Sequence, residues 1–282
     1  MFLSFIPFFQ SSAQVELSHK PFFPELYNDD GDGFVVIAHR GASAYYPENT
    51  MIAFRKSIEL GAEMIELDVL MSKDGVPIVF HDAKLDKKTN GKGSVGNFTV
   101  SELKQLDAGS WFDEKFKGER IPTLDEVLAF AKGKIVLNIE IKTEAVTDVL
   151  KGGVEEKSIQ LVRKHGMEKH VIFSSFDYRA VAHLKELAPD ISTALLYTER
   201  ISGKKSPVEL VNEYSADAFN CHYAQLSAKW MNSLKESDIP AFVYTVNSES
   251  RMRSLIERGV KGIFSDKPDV LKRVAQKLRA GH

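Results

Sequence analysis

The sequence predicts an α/β protein of the (β/α)8 TIM-barrel class, with an extra antiparallel strand and a small insertion after it. Three observations predict this. Eight short β-type runs recur from residue 34 onward, each followed by helical patterning, and the count of eight favours a closed barrel over an open sheet. A further run, PIVFH (77–81), follows its predecessor too closely for a helical crossover, which needs about a dozen residues. Finally, Ala38-His39-Arg40-Gly41-Ala42-Ser43 after the first run has the wrong glycines for a dinucleotide-binding turn.

The elements follow in order. FVVIAH (34–39) is the first strand, and Asn49-Thr50 opens a helix that closes at Gly61. EMIELDVLM (63–71) is the second strand. Asp74-Gly75 then signals a hairpin into PIVFH, which brings His81 level with about Leu67, between Glu66 and Asp68. Residues 82–122 form a long segment rich in Lys, Gly, Asn and Asp that carries Trp111, Phe98, Phe112 and Phe116. Thr123-x-x-Glu126 is a capping box for a helix that ends at Gly133. The remaining strands are KIVLNIEIK (134–142), VIFSSF (171–176), STALLY (192–197), DAFNCH (217–222), AFVYTV (241–246) and GIFSD (262–266). Helices are expected near 154–165, 178–188, 206–214, 227–237, 248–258 and 267–279.

The chain has 282 residues, of which 43% are apolar and 27% charged. That length suits a leader (1–33) followed by one barrel (34–282) that contains the insertion (82–122). A net charge of −2 offers no electrostatic case for a nucleic-acid partner. Cys221 is the single cysteine, so no intrachain disulfide forms, and the chain suits a reducing or an oxidising compartment. Phe2 to Phe9 is apolar but too short to span a bilayer. It precedes a Ser11-x-Ala13 pattern, yet the first Lys is Lys20, so a basic n-region is missing. Export signal and loosely docked leader both stay open, and with them an exported or a cytoplasmic location. No later segment reaches the roughly 18 apolar residues of a membrane span, so no stable membrane insertion is expected. Oligomeric state carries no sequence signal.

In a strand, residues two apart share a face. The second strand therefore sets Glu66 and Asp68 on one face, and the third barrel strand does the same with Asn138, Glu140 and Lys142. These residues and His39 lie at C-terminal strand ends, the barrel face where active sites are built. Buried carboxylates are costly unless paired or bound to a metal. Three oxygen ligands beside two imidazoles favour Ca²⁺ or Mg²⁺ over Zn²⁺. The alternative is a network of ion pairs filling the barrel mouth.

His39-Arg40-Gly41, Pro47-Glu48-Asn49-Thr50, Glu66-Leu67-Asp68-Val69, Lys73-Asp74-Gly75 and His81-Asp82 together resemble the glycerophosphodiester phosphodiesterase family. The resemblance continues through Thr89-Asn90-Gly91, Ile121-Pro122-Thr123-Leu124, Glu140-Ile141-Lys142, Ser174-Ser175-Phe176, Thr245-Val246-Asn247 and Gly262-x-x-x-Asp266-x-Pro268, spanning about residues 34–275. It implies a phospholipase C-like barrel in which Glu66, Asp68 and Glu140 hold one divalent cation, Ca²⁺ or Mg²⁺. It also implies that His39 and His81 are the acid/base pair and that Arg40 and Lys142 contact the phosphate. The implied reaction releases sn-glycerol 3-phosphate and an alcohol from a small-molecule glycerophosphodiester. Imidazoles ordinarily titrate near about pH 6.5, which suits them to both proton transfers.

Among weaker signals, His222 ends a strand as His39 does, and Glu48 is either a helix-dipole charge or a partner of the metal ligands. Phe176, Tyr244 and Trp111 are candidate walls for glycerol. His165, His170 and His183 read as surface groups. Two positions depart from the family pattern: Lys87-Lys88 replaces an expected Arg, and Tyr244 an expected Trp. Two competing readings remain. A lysophospholipase D-type enzyme would use Phe98, Trp111, Phe112 and Phe116 to approach an acyl chain, and would prefer lysophosphatidylcholine to glycerophosphocholine. A catalytically silent binding barrel would hydrolyse neither.

Overall fold

The computed structural model describes residues 33–281, so the expected leader lies outside the described residues except for Gly33. In chain order the elements begin β1 (Val35–Ala38), α1 (Met51–Glu59), β2 (Met64–Met71), β3 (Pro77–Val79), α2 (Val100–Leu103), α3 (Leu124–Ala131) and β4 (Val136–Ile141). They continue α4 (Val154–His165), β5 (Val171–Ser175), α5 (Tyr178–Leu187), β6 (Ser192–Leu196), α6 (Glu199–Ser202), α7 (Pro207–Glu213) and β7 (Ala218–His222). The last are α8 (Ala228–Glu236), β8 (Ala241–Tyr244), α9 (Glu249–Glu257), β9 (Gly262–Ser265) and α10 (Pro268–Ala280). The short α2 and α6 are additions to the expected elements. Strand order is β1-β9-β8-β7-β6-β5-β4-β2-β3, and a β1–β2 pairing closes the circle. Apart from β3, which pairs antiparallel on β2, the strands are parallel, so eight of them form the predicted barrel.

Local chemistry sets the helix ends. Thr50 accepts from Ala53 N at the start of α1, and Thr123 with Glu126 forms the expected capping box of α3. At the end of α4, Gly166 takes the left-handed conformation with φ 64°, which a Cβ would disfavour.

Alternation along the strands divides the core in two. Ile37, Met64, Val136, Ile172, Phe242 and Phe264 point inward and fill the lower barrel, where Ala194 and Ala218 leave room for the larger rings. The opposite set, including Ile65, Leu67, Leu137, Ile139 and Phe173, packs under the helices. Register then decides the chemistry at the top. Glu66 stands beside Asn138 and Asp68 beside Glu140 on adjacent parallel strands. The carboxylates of Asp68 and Glu140 thus rise from one level of the same inner face.

The β2–β3 hairpin pairs Val69 with Val79 and Met71 with Pro77, the register the sequence predicts; extended by two residues it sets His81 opposite Leu67. Strict alternation would turn His81 to the face of Val79. However, β3 stops at Val79 and the chain bends at 81–83, which carries His81 to the barrel mouth. Residues 82–122 contain α2 and two single 3-10 turns, at 95–97 and 114–116. Leu85, Val95, Leu103, Ala108 and Ile121 pack against Leu70, Ile78 and Phe80 of the hairpin. Truncating the fully buried Leu85 to Ala would cost about 2–5 kcal/mol. Asp107 pins this segment by accepting from the backbone N–H groups of Gly109, Ser110 and Gly118.

Candidate active site and metal centre

Six of the seven residues singled out from the sequence (His39, Arg40, Glu66, His81, Glu140 and Lys142) line one pocket of about 150 Å³ at the C-terminal mouth of the barrel. The seventh, Asp68, is buried beneath it with 1% exposure.

The turn after β1 carries His39 and Arg40. Arg40 has φ 53° and Gly41 φ 84°. A Cβ on Gly41 would stand 2.8 Å from the Ala53 Cβ, so this position requires glycine. The reversal aims the Arg40 backbone N–H at Glu66 Oε2, 2.8 Å away. Its guanidinium Nη1 donates to Glu48 Oε1 at 3.0 Å, and Nε lies 3.5 Å from Asp68 Oδ2. Glu48 also takes Lys88 Nζ at 2.5 Å, joining the segment after β3 to the barrel rim. Asn49, another non-glycine residue in the left-handed region (φ 56°), donates from Nδ2 to Asp68 Oδ2 at 2.8 Å. Such strained backbone persists only where surrounding contacts hold it.

On β4 and just past it, Lys142 Nζ donates to Glu140 Oε1 at 2.8 Å and lies 3.3 Å from Asp68 Oδ1. Three buried carboxylates therefore share two half-buried cations. Burial, together with the charges of Asp68 and Glu140, holds Glu66 well above the usual carboxyl range. Burial and the charge of Asp68 likewise push Glu140 up to about 7. Burial alone would raise Asp68 too, but Lys142 and Arg40 outweigh it and keep that carboxyl ionised. Burial likewise opposes the charge on Lys142, and Asp68 and Glu140 more than restore it.

This arrangement is one positive charge short of balance and fits a hard cation. Ligand oxygens of Glu66, Asp68 and Glu140 lie within 4.8 Å of one another, a spread that one ion with metal–oxygen bonds of about 2.0–2.6 Å can span. The buried Asp68 Oδ1 has only the 3.3 Å ion-pair contact with Lys142 and no well-formed hydrogen bond, which leaves a lone pair for such a ligand.

Each histidine is backed by a carboxylate. His39 Nδ1 lies 2.7 Å from Asp266 Oδ1, and His81 Nδ1 lies 2.6 Å from Asp82 Oδ1. An ionised carboxylate only accepts, so Nδ1 carries hydrogen in both rings and Nε2 is left to accept or return a proton. Asp266 is held by Ser43 Oγ at 2.9 Å and Asn247 Nδ2 at 2.6 Å. Burial opposes its ionisation, but its bond to His39 brings the carboxyl down to about 2. Burial lowers the pKa of His81, and the cations Lys142 and Arg40 add to this against the pull of Asp68.

Phe176 and Tyr244 wall the pocket, edge to face at 5.9 Å. Two expectations need correction. Trp111 stays outside the lining because its ring is 38% exposed, with Lys88 Nζ 5.2 Å from its centroid. His222, at the end of β7, is exposed and packs on Tyr223 at 4.3 Å instead of entering the pocket. His165 and His183 sit on helices, paired with Asp125 and Glu155. Asn49, Asp82, Asn247 and Asp266 fell inside recognised motifs, but their pairings become visible only when distant strands meet.

The family model described as the glycerophosphoryl diester phosphodiesterase family matches residues 39–270. A glycerophosphodiester phosphodiesterase of Caldanaerobacter subterraneus subsp. tengcongensis is 40% identical over 244 residues, covering 86% of this chain and 98% of that protein. The crystal structure of a glycerophosphodiester phosphodiesterase from Agrobacterium tumefaciens superposes with a TM-score of 0.75 at 32% identity, covering 86% of this chain and 99% of that one. A phosphodiesterase from Oleispira antarctica, solved in complex with the product sn-glycerol-3-phosphate, has a TM-score of 0.75 at 30% identity, covering 85% and 96%. A match running from the first pocket histidine almost to the C-terminus takes in every residue of the site, and the chain belongs to the glycerophosphoryl diester phosphodiesterase family.

Proposed function

We propose that this chain hydrolyses glycerophosphodiesters to sn-glycerol 3-phosphate and an alcohol. The observation that carries the reading is the meeting, in and just beneath one small pocket, of two carboxylate-backed imidazoles, three buried carboxylates and two half-buried cations. Glu66, Asp68 and Glu140 would hold one divalent cation, Ca²⁺ or Mg²⁺. When bound, that ion supplies positive charge against the phosphate oxygens.

The rest is work for the chain's own side chains. Arg40 and Lys142 offset the monoanion of the diester so that an oxygen nucleophile can approach. One histidine, through Nε2, takes the proton of the glycerol 2-hydroxyl, which attacks phosphorus to give a cyclic phosphate. The other protonates the departing alcohol oxygen. Water then opens the ring with the two roles exchanged. Asp266 and Asp82 hold the imidazoles in the tautomer this exchange needs. Direct attack by water is the alternative route.

The aromatic rings after β3 give the lysophospholipase D reading no support. Trp111, Phe112 and Phe116 pack edge to face in a row that ends on Tyr46, and they do not line the pocket. Among the described residues no helix is long and apolar enough to cross a membrane. The test is release of sn-glycerol 3-phosphate from glycerophosphocholine before and after EDTA, with Ca²⁺ or Mg²⁺ added back. Loss and recovery are expected, and hydrolysis indifferent to EDTA would remove the metal from the account.

A further inference from the structure

The pocket of about 150 Å³ has room for about five water molecules, enough for a phosphate and its glycerol but not for a bulky second alcohol. A far larger cavity, about 750 Å³, adjoins it at the ends of β5 and β6, and Phe176 walls both. Thr143, which follows the phosphate-side Lys142, also lines it. Tyr178 and Tyr214 form one wall with ring centroids 5.1 Å apart. The cavity thus lies on the same barrel rim, beside the reacting centre, and is of ordinary ligand size.

Its charge has one sign to spare. Asp177 is the single carboxylate in the lining, and both its oxygens are committed to Arg179, from Nε at 3.0 Å and Nη2 at 2.7 Å. Arg200, at the start of α6, is exposed and has no carboxylate partner among the described residues. Its neighbour Glu199 is not part of the lining. An ammonium head group would find no free carboxylate here, whereas an anion would find a free guanidinium.

We propose that this cavity receives the leaving alcohol of the diester, that it favours alcohols carrying a phosphate of their own, and that Arg200 is the residue that selects them. The proposal rests on the phosphodiesterase reading above. A second groove, of about 480 Å³, opens beside His81. There Lys84, Lys87 and Lys142 are matched by Asp82, Asp86 and Glu144, so it carries no net sign with which to select.

The test compares kcat/KM for glycerophosphoinositol 4-phosphate and glycerophosphoinositol, two substrates that differ by one phosphate group on the alcohol. Wild-type protein should prefer the phosphorylated one. Arg200→Glu should lower that ratio about tenfold, through KM and not kcat. Because both substrates are read on one preparation, a general loss of folding cancels from the ratio. A ratio unchanged in Arg200→Glu, with both diesters still hydrolysed, would overturn the proposal. So would a ratio that moves with Lys87→Glu instead, which would place the alcohol beside His81. If wild-type protein hydrolyses neither these diesters nor glycerophosphocholine, the phosphodiesterase reading itself fails and the assignment falls with it.

Discussion

His39 Nδ1 and Asp266 Oδ1 stand 2.7 Å apart across 227 residues of chain. The pairing exists because β1 and β9 are neighbours in the closed barrel, with Ala38 beside Ser265. The next residue of each strand therefore leaves the rim at the same place. Asn247, after β8, fixes the other Asp266 oxygen, so three elements converge on one imidazole.

Asp266 acts through His39 and is a positioning residue. Asp266→Asn should lower kcat about 10–100-fold, the usual cost of losing such a partner, while KM changes little. Steady-state kinetics on glycerophosphocholine checks this. A fall in kcat/KM that comes wholly from KM would count against the role.

The same carboxyl makes stability depend on acid. Its folded pKa, about 2, lies below the ordinary value of about 3.9. The resulting stabilisation is present above about pH 4 and is lost as pH falls through about 2. Allowing for its partial exposure, it amounts to about 1–2 kcal/mol. Denaturation of wild type and Asp266→Asn should show a stability gap at pH 5 that closes toward about pH 2. A gap independent of pH would contradict this.

Lys142 compensates Asp68 and Glu140 when no ion does. Lys142→Met should destabilise the metal-free protein by about 3–5 kcal/mol, because it leaves buried charge unpaired. Saturating Ca²⁺ or Mg²⁺ should recover part of that. In the wild type, ion at about 100 times its Kd should add about 2.7 kcal/mol. In a Glu66→Gln, Glu140→Gln double variant the ion should add almost nothing. Thermal shifts with and without ion measure all three, and equal shifts in wild type and double variant would argue against these ligands.

Asn49 performs two tasks that substitution can separate. Asn49→Ala removes a buried bond to Asp68 and sets alanine at φ 56°, for a loss of about 3 kcal/mol. Asn49→Gly relieves the backbone but not the bond, and should recover about 1 kcal/mol of it. Chemical denaturation of both variants decides. Equal losses would mean the left-handed backbone costs nothing.

The barrel was legible because each strand and helix advertises itself locally, and alternation alone placed Glu66, Asp68, Glu140 and Lys142 on inner faces. The register of β2 with β3 could be counted from the Asp74-Gly75 turn, which put His81 at the right level. Its inward turn could not, because it depends on a bend after β3 and not on alternation. Asp266 and Asn247 were visible as motif letters only, since their roles arise from barrel closure. Trp111 and His222 misled for a related reason: position at a strand end or in a long segment fixes neighbourhood but not side-chain direction.

The most direct test of the account is ³¹P NMR of wild-type protein and its His39→Ala and His81→Ala variants, each given glycerophosphocholine and Ca²⁺ or Mg²⁺. The account predicts that the diester signal gives way to sn-glycerol 3-phosphate in the wild type, and that turnover collapses in both variants. A cyclic glycerophosphate signal in either variant would support attack by the 2-hydroxyl. A diester signal that persists with wild-type protein, or turnover that survives loss of either histidine, would contradict it.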